Sequence, residues 1–257
     1  MGNEVAVNVL GTIGTVLWCV QLVPQVIRNF IKKNCEGLPP LMMFLWAASG
    51  IPFSIYFIGS EGSIPLQIQP QLFTFFSLIT WAQALYFPPV QMQKIKVLIL
   101  VSSFVLISVG LEVGFILWLK PVYEHGTHWP MLVFGIIASV LLGLGLIPPY
   151  FELAKRKGRV VGINFFFLGM DTAGAVFSLI SIIVGTIDGM SMALYITVIA
   201  LETGIYTSQI IWYLFYGRKI LKEEKREKEV RKLMQKEKKG DIFICEKSEQ
   251  NSTLQEP

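Results

Sequence analysis

The sequence predicts an all-α protein of seven transmembrane helices, two parallel triple-helix bundles in a 3+1+3 order around a connector helix. Three observations predict it: a charge-poor apolar body, seven apolar runs of spanning length, and an internal repeat of three such runs. Of the 257 residues, 53% are hydrophobic and 16% charged, with a mean hydropathy of +0.56. Soluble domains carry about a quarter charged residues. Here only ten Lys/Arg and nine Asp/Glu precede Arg218, and the rest crowd into the final stretch. Such a chain cannot coat a water-facing surface. The net charge of +4 sits largely in that tail and in short basic loops, which suits the anionic face of a bilayer, so it need not imply nucleic acid and no nucleic-acid partner is expected.

A spanning helix needs about 20 mostly apolar residues. The runs are 5–26, 39–58, 70–87, 97–119, 130–151, 163–186 and 192–216, the third being the shortest. Pro39, Pro70, Pro88, Pro89, Pro121 and Pro130 stand at run ends, as expected of residues that start or stop helices. One set of loops holds Arg28, Lys32, Lys33, Lys94, Lys96, Lys155, Arg156, Lys157, Arg159 and the tail, while the opposite set holds only Lys120. By the positive-inside rule the N-terminus faces the lumen and the C-terminus the cytosol, which requires an odd number of spans.

That sidedness disposes of several short motifs. Asn251-Ser252-Thr253 has the form of a glycosylation site but lies in a cytosolic tail. Met1-Gly2 resembles a myristoylation start, yet Ala6 stands where Ser or Thr is needed. The first apolar run lacks a basic leader and a cleavage site, so it reads as a retained helix. Cys19, Cys35 and Cys245 are odd in number and lack metal-type spacing, so no disulfide is expected.

Superposing Gly11 on Gly135, an offset of 124, reveals the repeat. Leu22-Val23-Pro24 falls on Leu146-Ile147-Pro148, Lys32-Lys33 on Arg156-Lys157, and Gly50, Phe53 and Ser54 on Gly174, Phe177 and Ser178. Gln83 matches Gln209 at an offset of 126. Lipid demands shared hydrophobicity but not shared Pro, Gly, Ser and dibasic positions. The predicted organisation is therefore a first bundle at 5–87, a connector with its loops at 88–129, a second bundle at 130–217 and a charged cytosolic tail at 218–257. An odd connector makes the two repeats parallel.

Val23-Pro24-Gln25, a basic turn and Glu36-Gly37-Leu38 together resemble the signature of the PQ-loop family, which includes cystinosin-like and vacuolar amino-acid transporters and, more distantly, the SWEET sugar carriers. The resemblance covers about residues 5–217; in the second copy Pro148-Pro149 stands in place of Pro-Gln. It implies two triple-helix bundles around a substrate path, in a vacuolar, lysosomal or other endomembrane, with the motif prolines as hinges. Cationic amino-acid exporters of that family tend to carry an acid in the second helix, which this chain lacks.

An interior proline deletes a backbone hydrogen bond, a loss tolerated in lipid only where neighbours or cavity water compensate. Pro24 and Pro148 read either as fixed kinks or, because they recur at equivalent positions, as paired hinges at one mouth. Gln25, beside the first kink, either bonds the freed carbonyl or lines the path; the alternative is local capping. Asn164, Gln83 and Gln209 are further path candidates, as are Asn8 and Thr12, with helix bridging as the alternative. The acids carry most information. Glu112, Asp171 and Glu202 lie in runs without Lys or Arg. Asp171 sits about nine residues, roughly 13 Å, from the cytosolic edge, and Glu202 at similar depth on the neighbouring antiparallel run. A carboxylate there costs several kcal/mol, so such groups usually face a cavity and mark ion or substrate paths. Asp171 and Glu202 are the candidates for proton coupling, with Asp171 favoured by the small residues of Met170-Asp171-Thr172-Ala173-Gly174. For Glu112 a neutral hydrogen bond across helices is the favoured reading.

His125 and His128, with Glu124, read as a solvated loop pair rather than a metal site. Trp18, Trp46, Trp81 and Trp212 read as packing or interface anchors. The tail from Lys219 to Lys239 has helix-compatible charge spacing, and disorder is expected beyond Gly240. With no phosphate loop, nucleophile or metal constellation, the function predicted is a proton-coupled alternating-access transporter of a small polar solute, an amino acid being one candidate. It is not an enzyme and uses no cofactor. Its partners are the solute, protons, the bilayer and, left open by the sequence, a second copy of itself. The alternatives are a non-transporting endomembrane adaptor or assembly factor and, with less support, a seven-helix receptor.

Overall fold

The computed structural model describes residues 2–61, 64–185 and 189–217, with Lys219, Ile220, Lys222, Glu223 and Arg226 beyond them. Every regular element among them is helical. The expectations placed on the tail (a helix over 219–239, Cys245, the Asn251 triplet) lie outside the described residues but for those isolated positions. The chain divides into two compact units, Met1–Gln209 and Ile210–Pro257.

In the first unit the first apolar run is a broken rod, α1 (Gly2–Val20) followed by α2 (Val23–Lys32). Then come α3 (Pro40–Gly59), α4 (Ile64–Tyr86) and α5 (Lys94–Glu124). A second broken rod follows, α6 (Trp129–Gly145) and α7 (Ile147–Lys155), then α8 (Phe165–Val184) and α9, which begins at Gly189. In the second unit, the last helical turns run to Trp212 and then widen over Tyr213–Gly217 into a π-helical turn. Six of these rods are long and apolar enough to cross a membrane. The seventh, α4, carries Gln67, Gln69 and Gln71 in its first turns, which dilutes its hydropathy.

The helices outrun the apolar runs. Arg28, Asn29 and Lys32 end the first run by composition, yet α2 continues through them because one face stays apolar while Asn29 turns inward. At 31 residues α5 is about 46 Å long, more than the ~30 Å hydrocarbon layer. Pro39 and Pro130 begin helices as expected, but Pro70 and Pro121 lie inside α4 and α5 rather than at their ends. Pro121 is in the last turn of α5, where losing one donor does not stop a helix already formed.

Two contacts organise the first unit: α1 packs on α8, and α3 on α6. Under the 124-residue offset these are the same contact with the partners exchanged. Inside the first half α4 lies against both α1 and α3. In the second, α9 is tied to α8 by Thr172 and Glu202, and to α7 by the Tyr150 hydroxyl on the Leu201 carbonyl. The two large contacts are locked alike. The Trp18 indole donates to the Asp171 carbonyl at 3.0 Å and lies on Gly174; the Trp46 indole donates to the Leu142 carbonyl at 3.2 Å and lies on Gly145. A Cβ on either glycine would stand 2.2 Å from the indole Cδ1, so the rings reach backbone only because no side chain intervenes. Outward, α5 shows an apolar face to its surroundings, Leu106 and Leu117 being over 70% exposed.

The loops gather by charge. Cys35 N–H donates to the Pro88 carbonyl at 2.8 Å, and Arg156 pairs with Glu36 at 3.2 Å. These contacts bring the loops of Lys33, Lys94 and Lys155–Arg159 to one end of the helices. Lys120 meets Glu61 at 3.2 Å at the other. Cys19 and Cys35 are free thiols.

Candidate functional site

Asp171, seven residues into α8, is 3% exposed, and Glu202 on α9 is fully buried. Glu202 and the Gln21 side chain both come within hydrogen-bonding reach of the Asp171 carboxyl. The juxtaposition expected from depth alone is therefore present. Thr172 Oγ1 contacts Glu202 Oε2 at 2.5 Å and the Leu168 carbonyl at 2.9 Å. It has one proton for two acceptors; when that proton goes to the backbone, the contact with Glu202 is satisfied only by a protonated carboxyl. Glu202 Oε1 and Gln21 Oε1 have no hydrogen-bond partner among the described residues, although buried polar atoms are nearly always paired. Tyr150 and Tyr206 complete the electrostatic surroundings of Glu202.

Asp171 forms part of the wall of a cavity between α1, α3, α4, α6, α8 and α9. Its empty volume is about 680 Å³ counted to its mouth, of which about 50 Å³ admits the centre of a water molecule. The space is thus a narrow cleft, enough for a few waters. Trp18 and Gln21 lie beside Asp171, and the walls continue through Ser139, Gln69, Tyr56 and Tyr195. The last three stand near the helix ends that adjoin the Lys120 face, so the cleft leads from mid-depth toward the lysine-poor side.

Toward the lysine-rich side the path is closed by polar chemistry. Gln25, fully buried, donates through Nε2 to the Gly162 carbonyl at 3.0 Å and to Asn29 Oδ1 at 2.8 Å, and accepts the Asn164 N–H at 2.7 Å. Asn164 returns a bond from Nδ2 to the Pro24 carbonyl at 3.1 Å and caps α8 by accepting the Phe166 N–H. Asn29 donates to Gln83 at 3.2 Å, and Gln83 to the Val26 carbonyl at 3.1 Å. Beside this knot the loops cross. Gly37 and Gly162 hold φ of +82° and +89°, and a Cβ on either would strike backbone of the other loop at 2.3–2.4 Å. Both positions need glycine for the dihedral and for the approach. The Glu36–Arg156 pair closes the outer layer.

Comparison with known chains places the sequence in a family. The family model of the PQ loop repeat matches residues 6–66. An uncharacterized membrane protein of Saccharomyces cerevisiae, YDR090C, is 57% identical over 213 residues, covering 83% of this chain and 69% of its own. An uncharacterized protein of Schizosaccharomyces pombe, C2E12.03c, is 34% identical over 217 residues, 84% of this chain and 76% of its own. The chain belongs to the PQ-loop family.

The PQ-loop prolines fall where the rods break. Pro24 is in the first turn of α2 and Pro148 in the first turn of α7, after interruptions at Gln21–Leu22 and Leu146. Gln25 neither bonds the carbonyl freed by Pro24 nor lines the cleft; with Asn164 and Gln83 it builds the closure instead. Gln209 lies apart from both, accepting the Val160 N–H at 2.7 Å and so holding the second loop to α9. Asn8 and Thr12 lie on the exposed side of α1, away from any path. Glu112 accepts bonds from Ser54 and Gln71, each at 3.0 Å, tying the connector to α3 and α4 as expected. His125 turns to the Pro121 carbonyl, and His128 packs edge-on against Tyr123. Trp46 is an anchor as read, whereas Trp18 both anchors and lines the cleft.

Sequence reasoning missed Gln21, Asn29, Thr172 and the Glu36–Arg156 pair. Gln21 had a visible signal, a lone amide at membrane depth one residue before the conserved-looking Leu-Val-Pro triplet of the repeat. Asn29 had none, since the hydropathy cut-off placed it beyond the span.

Proposed function

We infer that this PQ-loop protein is a proton-coupled transporter of a small polar solute, with amino acids as the favoured class. Seven spans form two parallel bundles, α1–α4 and α6–α9, with α5 as connector. The N-terminus is luminal, the C-terminus is cytosolic, and the membrane is that of a vacuole or lysosome. The reading involves no enzymatic chemistry.

One observation carries it: Asp171, a carboxyl at mid-depth in the cleft wall, backed by Glu202 and without a cation beside it among the described residues. Two like charges at that spacing in a weakly polar setting exclude one another. The pair therefore holds a proton or the cationic group of a solute in its place. The cleft faces the side assigned to the lumen, from which protons and an ammonium-bearing solute enter. For release, the loop end must part, separating Gln25 from Gly162 and Asn164, and Glu36 from Arg156. Pro24 and Pro148, at the breaks of the two rods that carry this closure, are the sites where backbone rotation costs least.

The test is uptake into pyranine-loaded proteoliposomes under an imposed pH gradient, with a mixture of the standard amino acids outside. Solute-dependent proton flux is expected from the natural chain and not from Asp171→Asn. Solute flux that ignores the gradient would remove the coupling and leave a passive carrier. Absence of any flux from well-folded protein would reject transport and favour the adaptor reading.

A further inference from the structure

A second cavity lies outside the cleft, on the outer side of the first half. It is a groove of about 690 Å³ between the ends of α2, α4 and α5, walled by Phe30, Ala82, Phe87, Ile95, Leu98 and Val101. Phe30, Ile95 and Leu98 are each about 60% exposed. At membrane depth an apolar wedge between helices is filled by hydrocarbon, because water there gains no hydrogen bonds. What distinguishes this groove from any lipid-facing furrow is its charged mouth. Lys33 Nζ stands 3.4 Å from the Phe30 ring centroid and 5.4 Å from that of Phe87, and Lys94 Nζ 5.8 Å from that of Tyr86, rings that all line the groove. Neither ammonium pairs with a carboxylate among the described residues.

Lys33 is held there by its backbone. It ends α2 in a left-handed conformation, φ 50°, with its N–H bonded to the Asn29 carbonyl. Two positive charges are thus fixed over aromatic walls at one end of an acyl-sized apolar trough.

We propose that this groove is a binding site for an anionic phospholipid, one acyl chain lying between α4 and α5 and the headgroup phosphate and carboxylate meeting Lys33 and Lys94. The site is independent of the Asp171 cleft and of the transport reading. Its lysines belong to the charge-rich end of the helices, the end expected to face an anionic leaflet.

The test uses the full chain purified in uncharged detergent, with thermal stabilisation followed as mixed micelles of palmitoyl-oleoyl phosphatidylserine or phosphatidylcholine are added. Phosphatidylserine is expected to reach half-effect at a concentration about tenfold lower than phosphatidylcholine. The double variant Lys33→Gln/Lys94→Gln, changed only at surface ammonium groups, is expected to melt normally without lipid and to lose that preference. Lys96→Gln, outside the groove, is expected to keep it. Equal response of the natural chain to both lipids overturns the site, as does a preference that survives the double variant. Equal loss in Lys96→Gln reduces the effect to general charge and also overturns it. Water-soluble glycerophosphoserine is expected to give no shift; a shift equal to the lipid's would overturn the acyl-chain assignment.

Discussion

The two halves of the repeat share a skeleton and divide the chemistry. Each has a rod broken at a proline, and the two halves meet through a repeated pair of contacts, α1 on α8 and α3 on α6. Both clasps across those contacts run one way, from Trp18 and Trp46 of the first half to the Asp171 and Leu142 carbonyls of the second, with Gly174 and Gly145 under the rings. Past that framework equivalent positions diverge. Gln25 and Asn29, the heart of the polar closure, correspond to Pro149 and Leu153. Asp171 and Glu202 correspond to Ala47 and, at the wider offset, Phe76. The first half therefore supplies most of the closure's side chains, Gln25, Asn29 and Gln83 with Asn164 from the second, and the second supplies the acids. The clasping tryptophans are likewise on one side only, Leu142 and Met170 standing at the positions equivalent to Trp18 and Trp46. A single cleft between two copies needs only one acid pair and one lock, so each could be lost from one side without harm.

The comparison breaks most visibly at the acids. Asp171→Asn is expected to lower gradient-driven uptake on the order of tenfold or more, read as initial rates in proteoliposomes. Adding Ala47→Asp to that variant should not restore it, because the position equivalent to Glu202 is Phe76 and the new carboxyl gains no acid partner from the repeat. Recovery of gradient-driven uptake would show that the halves are interchangeable and sink the division of labour.

The closure is next in size. Gln25→Leu strands the Gly162 carbonyl, the Asn164 N–H and part of Asn29, and unsatisfied buried groups cost about 1–3 kcal/mol each. A loss of about 2–4 kcal/mol is expected in detergent unfolding. For the two tryptophan clasps, Gly174→Ala and Gly145→Ala should each cost about 1–3 kcal/mol by overpacking against an indole, and the two losses should match because the approach is the same 2.2 Å in both. A large inequality would mean that one clasp is ornamental. The Glu36–Arg156 pair ranks below these: Glu36 is half exposed, and Glu36→Gln should change stability by less than about 1 kcal/mol, shrinking further in salt.

Much of this organisation was legible before any coordinates, and the boundary is physical. Spanning runs, loop charge and the Pro24/Pro148 correspondence are properties of short segments, and a helix formed in lipid obeys them almost alone. The meeting of Asp171 with Glu202 was legible because depth along two adjacent antiparallel rods is one-dimensional arithmetic. The partners of Gln25 were not, because Gly162 and Asn164 lie more than 130 residues away, and hydropathy reports that a side chain turns inward without reporting toward what. Pro70 and Pro121 were misplaced because proline marks a helix end only where no earlier turn already holds the helix.

A buried thiol offers a gauge of the opening motion. Cys35, at the position equivalent to Arg159, is buried in the first motif loop, its N–H on the Pro88 carbonyl. Burial pushes its thiol up to about 11, against a lesser opposing pull from Arg28. An unperturbed thiol titrates near 9.0. The folded chain thus keeps this proton over the interval between, so the group's contribution to stability is whole below about pH 9 and is lost as pH climbs through about 11. At neutral pH its thiolate fraction is about 100-fold below that of a free cysteine, and maleimide labelling should be slower by about that factor. Opening the loop end returns the thiol to water. Labelling of Cys35 in the Gln25→Leu variant should therefore accelerate at constant pH, while in Gly174→Ala, whose lesion lies at the α1–α8 clasp, it should not. Equal acceleration in both would mean that the polar knot and the clasp loosen as one body, and that the closure has no independent motion to contribute.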